Sequence, residues 1–309
     1  MPANYAALAP PTNNAKINMK LKLFFAAALA ALCVSFTNAS AAPKKEVGLQ
    51  LYSVRSLLKD NRDATIDQVG KMGYTHVEAA GYGGGKFYGL TPDEFKKKCN
   101  AVGMEPLSSH TRIQLSKEEL ESGDFSKSLA KWDDLIAAHK AAGMKYIVDP
   151  YLAVPKTLKE LDTICKYYNA IGKKCKEAGL SFGYHNHSHE FKKVEGKTML
   201  DYMIENTNPE DVFFQLDVYW ARKGGVDPVE YFKKYPNRFR LLHIKDIDEV
   251  GASTFMDFNS IFKNIAKSGC EYIIVEVEKP AKGQTIDETV KKSLDYLLKN
   301  PNVKASYSK

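Results

Sequence analysis

The chain has 309 residues, of which 44% are hydrophobic and 26% charged, and a formal net charge of +7. That length suits one large α/β domain or two small ones. The excess of base is small and spread along the chain, which gives no argument for a nucleic-acid partner. The five cysteines lack metal-type spacing and a dense pattern, which argues against a fold built on disulfides.

The chain opens with a leader. Lys20 and Lys22 precede an apolar run over 23–36, no acid occurs in 1–41, and Ala39-Ser40-Ala41 has the small-x-small pattern of a signal-peptidase site. Residues 1–41 therefore read as a secretory signal peptide, whose apolar run is too short to span a membrane. The expectation is an exported protein, periplasmic or secreted, with no stable membrane insertion once the leader is cut. Loss of Lys16, Lys20 and Lys22 lowers the formal charge from +7 to +4. The mature domain is expected over 42–309.

The mature chain alternates strands and helices. A first strand over 47–52 precedes a helix with apolar positions at Ile66, Val69 and Met72, stopped by Gly73. A second strand, 75–78, ends in Glu78 and meets a glycine-rich stretch, 81–85, read as a loop over the mouth. Thr91-Pro92-Asp93-Glu94 opens a helix, with Thr91 as N-cap and Glu94 completing a capping box. A third strand, 105–110, ends in His110. A long helix over 125–142 leads to a fourth strand, 145–149, stopped by Pro150.

A helix over 157–178 holds Cys165 and Cys175, which lie too far apart along its axis to pair. The fifth strand, 181–184, runs into His185, Asn186 and His187. The sixth, 212–216, runs into Asp217, with Tyr219 and Trp220 beyond. The seventh, 239–242, runs into His243, Lys245 and Asp246. The eighth, 272–275, runs into Glu276. Helices near 199–204, from Asp227, over 257–266 and over 287–298 complete the series. Eight strand-then-helix units, with no linker inside the mature chain, predict a single-domain (β/α)8 TIM barrel.

Buried strands rarely end in ionisable groups unless the end opens into a polar site. A parallel barrel gathers such ends around one mouth. His185, Asp217, His243 and Glu276 are thus candidate metal ligands from four consecutive strands. Their mixed nitrogen and oxygen set suits Mn2+, Co2+, Fe2+ or Zn2+ rather than Ca2+. His187 is the alternative to His185 as ligand, because strand alternation points both the same way. Glu78 and His110 are candidates for proton transfer or hydroxyl binding across the mouth. Lys245 is a candidate to hold a substrate oxygen. Trp220, Tyr219 and Tyr52 are candidates for an apolar wall.

Four segments carry a resemblance: Gly48-Leu49-Gln50-Leu51-Tyr52-Ser53-Val54-Arg55, Gly183-Tyr184-His185-Asn186-His187, Gln215-Leu216-Asp217 and His243-Ile244-Lys245-Asp246. Together they resemble the xylose-isomerase-like TIM-barrel superfamily, in particular its exported branch of sugar phosphate isomerases/epimerases. The resemblance implies the barrel and a divalent-metal mouth but not the reaction, since the superfamily includes epimerases, isomerases, dehydratases, lyases and a DNA-repair endonuclease. The expectation drawn from the residues is a divalent-metal-dependent sugar isomerase/epimerase on a small-molecule carbohydrate, acting by proton transfer α to a carbonyl, with Glu78, His110, His187, Lys245 and Glu276 as catalytic candidates. Many epimerases of the superfamily end the fifth strand in glutamate, where this chain has His185. That departure keeps a second expectation open, a 3-keto-glycoside lyase or hydratase. A non-catalytic carbohydrate-binding barrel is the rival of another class. The sequence does not specify the oligomeric state.

Overall fold

A computed structural model describes residues 44–308; the leader expectation lies outside the described residues. Eight parallel strands close into a barrel: β1 (Gly48–Gln50), β2 (His76–Ala79), β3 (Glu105–His110), β4 (Tyr146–Asp149), β5 (Ser181–His185), β6 (Val212–Asp217), β7 (Leu241–Ile244) and β8 (Tyr272–Val275). Each pairs with its sequence neighbours, and β1 closes the ring on β8. The TIM-barrel expectation holds.

Strand alternation sorts the side chains. On β6, Phe213 faces the barrel interior with Leu107, Tyr146, Val148, Leu241, Tyr272 and Ile274, while Phe214 and Leu216 join the layer beneath the helices. Two residues on from the interior Leu241 and Ile274 come His243 and Glu276, so the same face that is apolar below becomes polar at the mouth. The pairing of β2 with β3 shifts register between Val77 and Glu78. Such irregularities re-aim side chains near the rim of barrels, and this one falls at Glu78.

Local differences from expectation have local causes. The first strand stops at Gln50, whose side chain accepts from the Tyr52 amide and folds Leu51–Val54 into a 3-10 turn. Tyr52 is therefore 45% exposed instead of lying in a strand. The helix expected over 125–142 is two, Ser126–Ala130 and Trp132–Ala141. They break where the Lys131 amide donates to Ser128 three residues back, while Trp132 donates to the Tyr167 hydroxyl at 2.7 Å. The helix expected over 257–266 runs Phe258–Asn264 and tightens into a 3-10 turn at Ile265–Ser268.

The glycine-rich stretch is a small hairpin, Tyr82–Gly83 against Lys86–Phe87. Phe87 is fully buried and Tyr82 packs against Phe87 and His139, so aromatic packing rather than the mouth holds it. The capping box at Thr91 and Glu94 forms. Cys99, Cys165, Cys175 and Cys270 are buried free thiols. No helix among the described residues is long and apolar enough to cross a membrane.

Helix Leu158–Glu177 carries Gly172 where it meets the start of β6. A Cβ there would lie 2.2 Å from the Asp211 carbonyl oxygen. Alanine raises helix propensity by about 1 kcal/mol, but overpacking against backbone costs about 1–3 kcal/mol and here nothing can swing aside. Gly172→Ala is expected to lower stability by about 2 kcal/mol, read as a reduced urea midpoint at unchanged slope. An unchanged midpoint would show that the helix slides away from β6 at no cost.

Candidate metal centre and active site

Strands β5 to β8 bring His185, Asp217, His243 and Glu276 together at the C-terminal mouth. One donor atom from each lies within 4.8 Å of the others, and all four side chains are buried. His243 is central. Its Nε2 donates to Glu78 Oε1 at 2.6 Å, and its Nδ1 faces Glu276 Oε2 at 3.3 Å and Asp217 Oδ2 at 3.9 Å. Two donor atoms in the group have no hydrogen-bond partner although buried, His185 Nδ1 and Asp217 Oδ2. Buried polar atoms are normally satisfied, so these two stand out among the donors of the group.

Asp217 does double duty. It ends β6 and caps the short helix Val218–Lys223, its Oδ1 accepting from the Trp220 amide at 2.8 Å. Its own amide donates to Asn186 Oδ1 at 3.1 Å, which explains why Asn186 points away from the two flanking histidines. Burial raises the Asp217 carboxyl to about 7, with Glu276 adding to the rise and Lys245 and His243 opposing it. Burial and the neighbouring imidazoles hold His185 well below its usual value. His243 goes the other way: burial disfavours its cation, but the carboxylates of Glu78 and Glu276 outweigh this and raise it to about 10.

Glu78 lies behind His243 and is fully buried. Gln50 Nε2 donates to its Oε1 at 2.8 Å, Gln215 Nε2 to its Oε2 at 2.8 Å, and the Ser108 hydroxyl also donates to Oε2. His110 Nε2 lies 3.0 Å from the same carboxylate and 2.8 Å from Gln215 Oε1. Burial would raise the Glu78 carboxyl, but His110 and His243 hold it well below the usual range. Both oxygens are thus engaged within the protein. Gln50, Ser108 and Gln215 are not among the candidate site residues, although Gln50 and Gln215 fall in segments that carry the resemblance; their place on β1, β3 and β6 next to the ionisable ends is the signal.

Lys245 pairs with Glu276 at 3.2 Å and Glu278 at 2.7 Å, under the face of Trp220. These acids keep its ammonium charged despite burial. Asp246 turns elsewhere: it accepts from the amides of Ile247 and Gly251 and from the Ser253 hydroxyl, anchoring the loop after β7. Of the two fifth-strand histidines, His185 joins the group of four. His187 joins His189 and Glu190 in a second group. The His187 and His185 rings stay in edge contact at 4.9 Å, and His187 Nδ1 is also without a partner. Burial lowers His187 to about 4, against the pull of Glu276.

Asp149 ends β4. It accepts from the Tyr151 amide at 3.1 Å and the Tyr168 hydroxyl at 3.0 Å. Burial raises it to about 6 from 3.8, with those hydrogen bonds opposing. A carboxyl raised on folding weakens the native state above its native pKa and not below its unfolded one. The cost is absent below about pH 3.8, grows to about pH 6 and is then constant at about 3 kcal/mol. Asp149→Asn is expected to gain stability relative to wild type by about 2–3 kcal/mol between pH 4 and 7.5, from paired urea melts. A difference independent of pH would show an ordinary carboxylate.

The model of the xylose isomerase-like TIM barrel family matches residues 66–300. A solved structure of a sugar phosphate isomerase/epimerase from Parabacteroides distasonis ATCC 8503 is 35% identical, covers 84% of this chain and 100% of its own, and superposes with a TM-score of 0.78. The inosose dehydratase of Geobacillus kaustophilus (strain HTA426) is 25% identical over 203 residues, 60% of this chain and 62% of the relative. The chain thus spans less than two thirds of the length of that relative, and about half of a second inosose dehydratase, from Clostridium tetani (strain Massachusetts / E88). The zinc-bound IOLI protein shares the fold at 14% identity, covering 81% of this chain and 95% of its own, with a TM-score of 0.61.

Proposed function

This chain belongs to the xylose isomerase-like TIM barrel family, and on that premise we propose that it is an enzyme catalysing divalent-metal-assisted proton transfer at the carbon next to the carbonyl of a sugar or cyclitol, giving isomerisation or epimerisation. The observation that carries the reading is the convergence of four donor residues whose members His185 and Asp217 each keep one buried atom without a partner. His185, Asp217, His243 and Glu276 would hold the cation, and their donor set suits Mn2+, Co2+, Fe2+ or Zn2+. When bound, it supplies a Lewis acid that polarises a carbonyl oxygen.

The chain's own groups do the rest. Glu78 fixes the His243 ring through Nε2 and leaves Nδ1 turned to Glu276 and Asp217, the arrangement that orients ligating histidines. Lys245 is held charged beside Glu276, within reach of a substrate oxygen. His187 is neutral at pH 7 with Nδ1 uncommitted, so it serves as the proton carrier. His110, tied to Gln215 and Glu78, positions the group behind it.

A second reading, elimination, is favoured by two observations. Proton removal next to a ketone also begins a dehydration or the loss of an aglycone, and inosose dehydratases are among the relatives. The fifth strand also ends in His185 where two-carboxylate proton exchange would need an acid. The protein loaded with Mn2+, Co2+ or Zn2+ is to be incubated in D2O with keto sugars, cyclitol ketones and 3-keto-glycosides, and followed by NMR. Deuterium at the α carbon with retained substituents supports isomerisation or epimerisation; loss of a β substituent supports elimination. Binding without exchange on any substrate leaves the barrel as a carbohydrate-binding protein, and the exported, periplasmic or secreted setting is tested separately by fractionation.

A further inference from the structure

Exposed apolar side chains are concentrated on one end of this protein. Among the described residues six large apolar side chains are exposed, Tyr52, Tyr151, Val154, Ile247, Phe255 and Leu298. All but Leu298 lie on loops that follow barrel strands at the C-terminal mouth: Tyr52 after β1, Tyr151 and Val154 after β4, Ile247 and Phe255 after β7. Of these, Tyr151 and Val154 share the loop after β4 and line one cavity, the kind of exposed apolar surface at which a ligand binds.

The loops after β3 and β4 enclose a cavity of about 310 Å3 against helix Leu158–Glu177, lined by Ile113, Leu115, Leu120, Leu152, Val154 and Ile164. That volume is at the low end of small-molecule sites, about 300–1,000 Å3. Tyr151 separates it from the candidate active site. Its ring lines the cavity and also lies 6.0 Å from the His187 ring and 5.2 Å from the His189 ring. His189 Nε2 donates to the Leu152 carbonyl at 2.8 Å, tying this wall to the segment that follows β5. The charged residues of the lining balance, Arg112, Lys117 and Lys156 against Asp149, Glu121 and Glu160, with Lys117 paired to Glu121 at 3.6 Å and the Lys156 amide donating to Glu160 at 2.8 Å. Asp149 accepts from Tyr151 and Tyr168, and Arg112 donates to the Tyr151 carbonyl and to Gln114. The wall therefore favours an apolar occupant over a phosphate.

We propose that this cavity is a subsite for an apolar, aromatic-sized substituent of the substrate, whose sugar lies at the mouth while the substituent passes Tyr151 into the space between the β3 and β4 loops. The inference rests on the carbohydrate reading for the sugar half only. The substrate class is thus a glycoside or sugar conjugate with an apolar aglycone, not a bare sugar phosphate.

The test is a fluorescence titration of the full protein with 4-methylumbelliferyl β-D-glucopyranoside and with free 4-methylumbelliferone, and a calorimetric titration with methyl β-D-glucopyranoside. The aryl glucoside is expected to bind about tenfold or more tightly than the methyl glucoside, from the apolar area it buries. Val154→Asp, at an exposed rim position that folding does not need, is expected to remove most of that advantage, whereas Phe255→Ser, across the mouth, keeps it. Equal affinities for the two glucosides, an advantage untouched by Val154→Asp, or no saturable binding of 4-methylumbelliferone would each overturn the proposal. Asp217→Asn separates the two readings. If 4-methylumbelliferone binding persists in that variant and in a wild type that shows no proton exchange, the subsite stands although the catalytic reading fails.

Discussion

Asp217→Asn is expected to abolish tight metal binding while leaving the fold intact. Asparagine is as good an N-cap as aspartate, so its oxygen keeps the bond to the Trp220 amide that Oδ1 now makes. What disappears is the anionic atom that has no partner in the metal-free protein. Removing a group behind a metal ligand already costs about 10–100-fold in affinity, so loss of the ligand itself is expected to cost at least about a hundredfold. Elemental analysis after dialysis should find near one divalent ion per wild-type chain and almost none in the variant.

The metal-free melting temperature of the variant should equal or exceed that of wild type, because burial already strains the Asp217 carboxylate and raises it to about 7. Metal uptake by wild type near pH 8 should also release about one proton, since His243, raised to about 10, must yield Nδ1 to act as a ligand. Calorimetry in buffers of different ionisation enthalpy reads that proton. Equal metal content in wild type and variant would remove Asp217 from the site.

The second large effect is on stability. Glu78→Ala is expected to destabilise the metal-free protein by about 3–5 kcal/mol, the usual result of breaking a buried ion pair from one side. The variant leaves the His243 cation without its carboxylate at Nε2, and leaves donors on Gln50, Gln215 and Ser108 without their acceptor. Against a total stability of about 5–15 kcal/mol, such a loss is large.

Its pH dependence follows from the two shifts. Glu78 is depressed, so its contribution is complete above the ordinary carboxylate value and fades as the pH falls through the native one. His243 is raised to about 10, so its contribution is complete below about pH 6.5 and fades as the pH rises towards 10. The penalty should therefore be greatest near pH 5–6 and smaller at pH 9. Paired denaturant melts at these pH values test it; a penalty that grows with pH would mean that His243 is neutral in the native protein.

The barrel and the four-residue group were legible in sequence for the same reason. A strand buried on both faces is a short apolar run, and an ionisable residue at its end stands out against it. Asp217 after Val212-Phe213-Phe214-Gln215-Leu216 and Glu276 after Tyr272-Ile273-Ile274-Val275 needed no knowledge of what lay across the barrel. Glu78 was legible as a strand-end candidate, but its place behind His243 in a hydrogen-bonded cluster was not. Glu78 lies 165 residues from His243 in the chain, Gln50, Ser108 and Gln215 reach it from three other strands, and a register shift at Glu78 sets its aim. Nor was Asp149, because nothing local tells an outward-facing strand-end carboxylate beneath Tyr168 from one at a solvated turn.

By itself, then, the sequence determined the eight strand–helix units, the end of the barrel where the ionisable strand ends gather and the side-chain types offered there, because period-two burial and strand ends are local properties of a chain. Only the tertiary structure decided that His185 rather than His187 joins Asp217, His243 and Glu276, that Glu78 is committed to His243, that Asp246 anchors a loop, and that an apolar cavity adjoins the mouth. Each of those depends on where strand register and loop packing aim a side chain, and register is fixed by contacts between segments far apart in sequence.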